Sequence, residues 1–523
     1  MVKANIISGK TYLGIELGST RIKACLVDDS FSPVASGSYE WENTFDGKYW
    51  TYSIDEFHTG VKECYKNLCD DVLQKYDVVL EQVGSIGISA MMHGYLAFDK
   101  DGRLLVPFRT WRNTTTKEAA DVLSSEFSFN VPQRWSIAHL YQAILNNEPH
   151  INEIAHITTL SGYIHYLLTG KYEIGVGDAS GMFPIDEGDY DEKMLDKFDA
   201  ITNHLNLPWK IRDILPKVKS AGVCDSFLTK EGAEFLDCSG KLKSGICVCP
   251  PEGDAGTGMV ATNAVSPKTG NVSAGTSIFA MVVLEKSLKN AYPQIDIVTT
   301  PHGAPVAMVH CNNCCNELDV WVNIFGEFCE LMGNHTDKST LYNSLYRAAL
   351  AGDCNGIVAY NYLSGEHITN IKNGRPMYFR LTDSKMNLAS FMKAQLYSAI
   401  ATLTMGMDIL FDKENVNIEK LSAHGGLFKV EGVAQQILAN ALNTSVSVTE
   451  TAGEGGAWGM ALLAAYAICN NGKTLPEWLD ENVFSNMKSS TLYPDKTQTD
   501  EFNEFKRLYQ SGLAAESNLE LVH

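Results

Sequence analysis

The chain has 523 residues, 45% hydrophobic and 20% charged, with a formal net charge of −20. That length exceeds what one hydrophobic core usually serves, so two large domains are expected. The acidic balance repels polyanions and argues against nucleic acid or an anionic membrane surface as a partner. No run of about 18 uncharged apolar residues occurs, so no membrane span is expected. The opening "MVKANIISGK" lacks the apolar stretch of a signal peptide. Thirteen cysteines, an odd number scattered along the chain, suit reduced thiols in a cytoplasmic protein better than a disulfide framework.

In chain order, "TYLGIEL" and "IKACLVD" read as strands joined by a tight turn at Gly18, Ser19 and Thr20. "WENTFDGKYWTYS" gives a further strand signal. "SIDEFHTGVKECYKNLCDDVLQKY" reads as a helix, with Ser53 at the N-cap and Glu56 three residues on. "VGSIGISA" is a buried strand running into "MMHGYLAFDKDGRLL", where "DKDG" marks a hairpin turn. Strands, helix and strand in that order argue an α/β domain. Residues 190–240 are mixed and loop-rich. "GICVCPPEGDAGTGMVATNAV" then gives a strand, a Pro-Pro break and a glycine-rich loop leading into a short helix. "NVSAGTSIFAMVVLE" repeats the opening design, with Gly275, Thr276 and Ser277 echoing Gly18, Ser19 and Thr20 about 257 residues later. An internal duplication follows, with the boundary near "AVSPK" and domains expected at 1–264 and 265–523. The long apolar segment "NLASFMKAQLYSAIATLTMGMDILF" and the glycine clusters "SAHGGLFK" and "GEGGAWGMALLAAYAI" complete the second half.

Successive N–H groups at a tight glycine turn converge on an anion, and flanking hydroxyls add donors. Two such turns on facing domains would hold the phosphates of one nucleotide in the cleft between them. Glu16, just ahead of the first turn, would face that cleft and hold a divalent cation through water; oxygen ligands suit magnesium. Asp254, in "PEGDAGTG", is placed to accept a proton from a hydroxyl attacking phosphorus. Each feature has a plainer reading: an ordinary β-turn for each glycine corner, and a cap for the following helix at Asp254.

Taken in order, these segments resemble the FGGY carbohydrate kinases, whose domains share the duplicated fold of hexokinase and actin. "GIELGSTRIKACLVD" and "VSAGTS" resemble the two phosphate motifs, and "GDAGTG" the loop of the catalytic aspartate. "SAMMHG" and "GDASGMFPID" resemble stretches of the xylulokinase branch. "YLSGEH" resembles the C-terminal signature, and "SAHGGLFK" with "GEGGAWGMALLA" the adenosine-binding region. The resemblance implies a two-domain α/β, actin/hexokinase-like ATPase fold of duplicated ribonuclease H-like domains around a central cleft. It implies transfer of the γ-phosphate of ATP, with Mg2+, to a ketopentose such as xylulose or ribulose. Asp254 becomes the base. Met92, His93, Trp111, Arg112 and Asp178 fall where the sugar is bound. Gly18, Ser19, Thr20, Lys23, Gly275, Thr276 and Ser277 fall at the phosphates, Gly425 and Gly426 at the adenosine, and Glu16 at magnesium. A homodimer is the family-level expectation.

Two departures stand out. The family usually has Asp where this chain has Glu16, and "RTWRNTTT" lacks the acidic residue that follows the family's Asn. The first bears on metal geometry, the second on the sugar. The rival reading is a non-catalytic sugar or nucleotide sensor, or a bare ATPase, on the same fold.

Three other motifs carry less. "GTGMVA" at 256–261 fits a dinucleotide fingerprint, but Pro267 leaves little room for a crossover helix. "NNGKT" at 470–474 resembles the end of a P-loop, yet Ala467 stands where that motif needs glycine. Cys311, Cys314 and Cys315 in "HCNNCCNELD" lack a fourth ligand at matched spacing and read as packing at a helix start. His93, Trp111 and Asp178 each also admit a structural reading, as a packed histidine, a core indole and a turn stabiliser.

Overall fold

In the computed structural model the two glycine corners head two equivalent hairpins. Residues 1–354, 356–449 and 455–518 are described. Strand Tyr12–Leu17 pairs antiparallel with Arg21–Val27 and parallel with Ser85–Ala90. Strand Thr269–Ala274 pairs antiparallel with Ile278–Val283 and parallel with Lys420–His424. The first strand of the second hairpin is that of the first with each bound shifted by 257 residues, from Tyr12 to Thr269 and from Leu17 to Ala274.

The chain divides into two units. The first comprises Met1–Val265, Glu285–Val306 and Glu454–Asn486; the second comprises Ser266–Leu284, Ala307–Gly453 and Met487–His523. The single cut expected at 264/265 therefore describes only the first crossing. Residues 285–306 return to the first unit, where Asp296 takes a 2.9 Å hydrogen bond from Asn130 and an ion pair from Arg134. A boundary read from composition cannot register such returns, because long-range pairing fixes them.

The first unit is built on a sheet in the order Cys247–Val248, Ser85–Ala90, Tyr12–Leu17, Arg21–Val27, Pro33–Glu40, with Glu252–Gly253 also pairing Ser85–Ala90. Its central strands are buried on both faces, which is why they read as apolar and small-residue runs rather than alternating ones. Helix Ile54–Tyr76 covers one face. It starts where Ser53 Oγ accepts the Glu56 N–H at 3.1 Å, as expected from the sequence, and stops at Asp77, φ 52°. Phe57, Val61, Cys64, Tyr65 and Leu68 form its buried stripe.

Helix Gly455–Cys469 covers the other face, and its small residues explain how closely it lies. A β-carbon on Gly14 would overlap the Ala457 carbonyl, and one on Gly459 would overlap the Thr257 carbonyl. The helix thus holds strand Tyr12–Leu17 and helix Asp254–Ala261 at backbone contact. The second unit carries a sheet whose order runs Pro305–Cys311, Ile278–Val283, Thr269–Ala274, Lys420–His424, Val446–Thr449, Ser489–Leu492. Helix Leu388–Asp408, capped by Asn387 at Ser390 N–H, is buried along nearly its whole length.

Three local expectations change. The segment at 41–53 is not one strand. Asp46 Oδ1 accepts the N–H groups of Lys48 and Tyr49 at 2.8 and 2.6 Å, folding it into a tight turn between two-residue strands Thr44–Phe45 and Trp50–Thr51. "DAGTG" is not a loop but the start of helix Asp254–Ala261. Cys224 and Cys247, with Cα atoms 6.0 Å apart, form a disulfide, so this pair departs from the reduced state expected for all thirteen. Among the described residues, no helix is long and apolar enough to cross a membrane. In "NNGKT", Asn470 Oδ1 accepts Gly472 N–H at 3.0 Å in a turn between helices.

Candidate active site

Strand Ser85–Ala90 and strand Glu252–Gly253 run parallel and end together, with Glu252 opposite Ser89 and Gly253 opposite Ala90. The residues just beyond each end meet. Met92 N–H donates to Asp254 Oδ1 at 3.1 Å. Asp254 is the first residue of its helix and Gly253, which has no side chain, is the N-cap. Burial raises its carboxyl to about 6, opposed by the N–H groups of Met92 and Ala255.

Two more carboxyls face Asp254. Asp178 lies on the short helix Val176–Ala179, and its Oδ1 would sit 3.3 Å from a β-carbon on Gly253. Asp178 Oδ2 accepts from Thr159 Oγ1 at 2.6 Å and from Ser161 Oγ, while Oδ1 has no hydrogen-bond partner among the described residues. Burial raises it to about 7; the two hydroxyls lower it and the Asp254 charge raises it. Glu16 points from strand Tyr12–Leu17 against the start of helix Gly455–Cys469, where a β-carbon on Gly456 would overlap its carboxylate. Burial raises Glu16 to about 7; Asp254 adds to this and Lys23, its cross-strand partner, opposes it. The charge of Asp254 thus adds to the burial that raises both Asp178 and Glu16, and buried carboxyls titrating this high can exchange a proton near neutral pH.

His93 and Gly94 turn the chain away from the strand end with φ 71° and 93°. The His93 ring faces the Gly181 carbonyl, Nδ1 at 3.2 Å, and stacks on Trp135. It is buried, two residues past Met91, on the turn that also presents Met92 N–H to Asp254.

The first glycine corner is held from behind. Trp41 Nε1 donates to Gly18 O at 2.7 Å, and Tyr52 Oη to Ser19 O at 2.6 Å. Trp111 is 38% exposed rather than core, and its indole N–H donates to Ser19 Oγ at 3.2 Å. Arg112 departs from this group. Its guanidinium donates to Asn43 Oδ1 at 2.8 Å and lies over the Trp50 ring, and Asn113 fastens the segment to the Trp50 backbone. Gly18 N–H donates to Arg21 O at 3.1 Å and closes the turn, so with the carbonyls of Gly18 and Ser19 also occupied the corner presents the N–H groups and hydroxyls of Ser19 and Thr20.

The second corner, in the other unit, is held the same way by different groups. Cys315 N–H donates to Gly275 O and Cys314 N–H to Thr276 O, both at 3.0 Å. The cysteine-rich stretch therefore serves the turn through its backbone. Cys311 and Cys314 are buried thiols pushed well up, and among the described residues no cluster of His, Cys, Asp or Glu could hold a metal. Gly275 faces open space. Gly425, at φ 105°, lies against Ala274; a β-carbon there would overlap the Ala274 carbonyl. Gly425 and Gly426 thus adjoin the Gly275 turn. Of the "GEGGAWG" cluster, residues up to 454 lie outside the described residues.

Sequence reasoning missed Thr159, Ser161 and Glu252. The hydroxyl pair had no signal beyond its two-residue spacing. Glu252 did have one, as the single ionisable residue besides Asp254 in a run of small residues and prolines.

The fold and this site define a phosphotransferase of the duplicated actin/hexokinase kind. The model for the N-terminal domain of the FGGY family of carbohydrate kinases matches residues 11–234, and that for its C-terminal domain matches residues 270–468. A xylulose kinase of Haemophilus influenzae is 24% identical over 96% of this chain and 99% of its own length. Among solved structures, the xylulose kinase from Rhodospirillum rubrum superposes with a TM-score of 0.78 at 15% identity, covering 97% of this chain and 98% of that one. The gluconate kinase from Lactobacillus acidophilus reaches 0.77 at 17% identity, covering 97% and 98%. The chain belongs to the FGGY family of carbohydrate kinases and is a sugar kinase.

Proposed function

We propose that this kinase transfers the γ-phosphate of ATP to a hydroxyl of a ketopentose of the xylulose or ribulose kind. The observation that carries the reading is the Asp254 carboxylate, fixed by Met92 N–H with one oxygen while Asp178 and Glu16 stand close by. Asp254 takes the proton of the sugar hydroxyl. The hydroxyl oxygen forms the new bond to the γ-phosphorus, and the bond from that phosphorus to the bridging oxygen breaks to release ADP. A base that titrates near 6 is ionised at neutral pH yet still basic enough to accept a proton as the bond forms. Phosphoryl transfer otherwise needs alignment and charge neutralisation.

In this reading Met92, His93, Asp178 and Trp111 contact the sugar. Arg112 would join them only by leaving Asn43 and Trp50. Gly18, Ser19, Thr20 and Lys23, and in the other unit Gly275, Thr276 and Ser277, contact phosphates, with Gly425 and Gly426 at the adenosine. Glu16 fits magnesium held through water. Burial and the nearby Asp254 charge penalise its ionised form, which supports this reading because a divalent cation would favour that form, and a lone protein carboxylate suits an ion that keeps waters and phosphate oxygens. Magnesium would supply charge neutralisation at the phosphates.

The test is ADP release, coupled to NADH oxidation, with D-xylulose, L-xylulose, D-ribulose, L-ribulose, gluconate and glycerol. A kcat/KM for one pentulose well above that for gluconate and glycerol supports the reading. A preference for gluconate or glycerol overturns the substrate, and sugar-independent hydrolysis overturns the transfer.

A further inference from the structure

Glu252 is a buried acid whose ionisable neighbours, among the described residues, are not basic. It lies 2% exposed on the short strand that delivers Asp254, and the ionisable groups it interacts with are Asp178 and Cys249. Its Oε1 accepts the Asp178 N–H at 2.9 Å, and the Gly177 N–H also faces it; its Oε2 has no partner. The turn it grips is cut to its shape. A β-carbon on Gly175 would come within 2.6 Å of Oε1, and one on Gly177 would overlap Oε2. Beside this contact, Gly175 N–H donates to Pro251 O at 2.7 Å, so backbone and side chain lace the same two segments.

We propose that Glu252 is a positioning residue that clamps the turn carrying Asp178 to the strand end carrying Asp254, and so sets the spacing between the sugar-binding and proton-accepting carboxyls. The proposal rests on the reading of Asp254 as base. The small cavity that Glu252 lines has room for about 10 Å³ of water-sized sphere, too little for a sugar or phosphate, so the residue acts through its neighbours and not on a ligand. Burial, reinforced by the charge of Asp178, pushes its carboxyl well up, which favours the uncharged form. A neutral acid there satisfies the first N–H groups of helix Val176–Ala179, whose N-cap Gly175 has no side chain to do so.

The experiment compares Glu252→Ala, Glu252→Gln and the unmodified enzyme with D-xylulose and ATP, alongside hydrogen–deuterium exchange of the intact proteins. Glu252→Ala is expected to lower kcat about tenfold or more, since displacing reacting groups by a fraction of an ångström has that scale of effect, with the KM for ATP within about twofold. Glu252→Gln, an uncharged acceptor of the same shape, is expected to restore kcat to within about threefold. Exchange over residues 175–181 should rise about tenfold in Glu252→Ala and stay near the unmodified rate in Glu252→Gln, with residues 230–236 unchanged in both. An unchanged kcat in Glu252→Ala, or a Gln variant as impaired as the Ala one, overturns the proposal. Should the unmodified enzyme phosphorylate no sugar, the proposed function fails; exchange at 175–181 that is indifferent to Glu252→Ala still overturns the clamp by itself.

Discussion

Met92 N–H donates to Asp254 Oδ1 at 3.1 Å, so the backbone beyond one sheet strand holds the carboxyl that begins the helix beyond its neighbour. Two parallel strands ending at the same level make this bond. The arrangement puts Asp254 where burial raises its carboxyl while backbone N–H groups, that of Met92 first, oppose the rise.

The pH dependence follows with its sign. Asp254 must be ionised to accept a proton, and it titrates at about 6 rather than near the usual carboxylate range. Below that value it is protonated, so kcat/KM for the sugar is expected to fall about tenfold per pH unit on the acid side of 6 and to level off above 7. A kcat/KM–pH profile for the sugar at saturating ATP checks this; a profile flat down to pH 5 contradicts it.

Glu16 is expected to act on the metal. Glu16→Ala should raise the magnesium concentration for half-maximal rate by about tenfold or more, the scale seen when an outer-shell metal partner is lost. Glu16→Asp, the shorter acid usual in this family, should stay within a few-fold of the unmodified enzyme. Magnesium titrations at fixed ATP read this out, and an Ala variant with unaltered magnesium dependence would remove Glu16 from the metal site.

Gly425 is expected to be irreplaceable for nucleotide binding. Alanine there needs a left-handed backbone at φ 105° and overlaps the Ala274 carbonyl next to the Gly275 turn. Strain of about 1–3 kcal/mol should lower thermal stability and raise the KM for ATP several-fold. The KM for the sugar should hold, since Gly425 and the sugar contacts stand in different units. Equal damage to both KM values would refute the assignment.

Gly459→Val tests the packing beneath the site. The added side chain overlaps the Thr257 carbonyl, forcing helix Gly455–Cys469 off helix Asp254–Ala261. Destabilisation of about 1–3 kcal/mol is expected, with kcat reduced further than stability alone explains because the helix that loses this packing carries Asp254. Denaturant melts beside kinetics decide it; a variant with native stability and kcat would show that the contact is not needed.

How much of this was legible in the sequence depends on how local each signal was. The two hairpins were, because a glycine and two hydroxyl residues between apolar strands leave a pattern that repeats after 257 residues. The Ser53 cap was, because a cap and its N–H lie three residues apart. The turn at Asp46 was missed although it is local, because aromatic and β-branched neighbours masked an Asx turn inside a strand-like composition. The role of Cys314 and Cys315 was out of reach: nothing in "HCNNCC" says that their backbone N–H groups close on a turn some forty residues earlier. Arg112 was placed by its neighbour Trp111, but the two sit in a turn closed by Asn113 N–H on Thr110 O, and Arg112 lies over Trp50. Glu252 was overlooked because its partners, Gly177 and Asp178, are distant in sequence.

The most direct measurement is ADP release by Asp254→Asn at saturating D-xylulose and ATP, with binding of D-xylulose followed by calorimetry. Losing the group that receives the hydroxyl proton should cut turnover by about a thousandfold, the upper range for a lost acid–base group, while the sugar still binds. An Asn variant that phosphorylates the sugar at a rate near that of the unmodified enzyme would contradict the account.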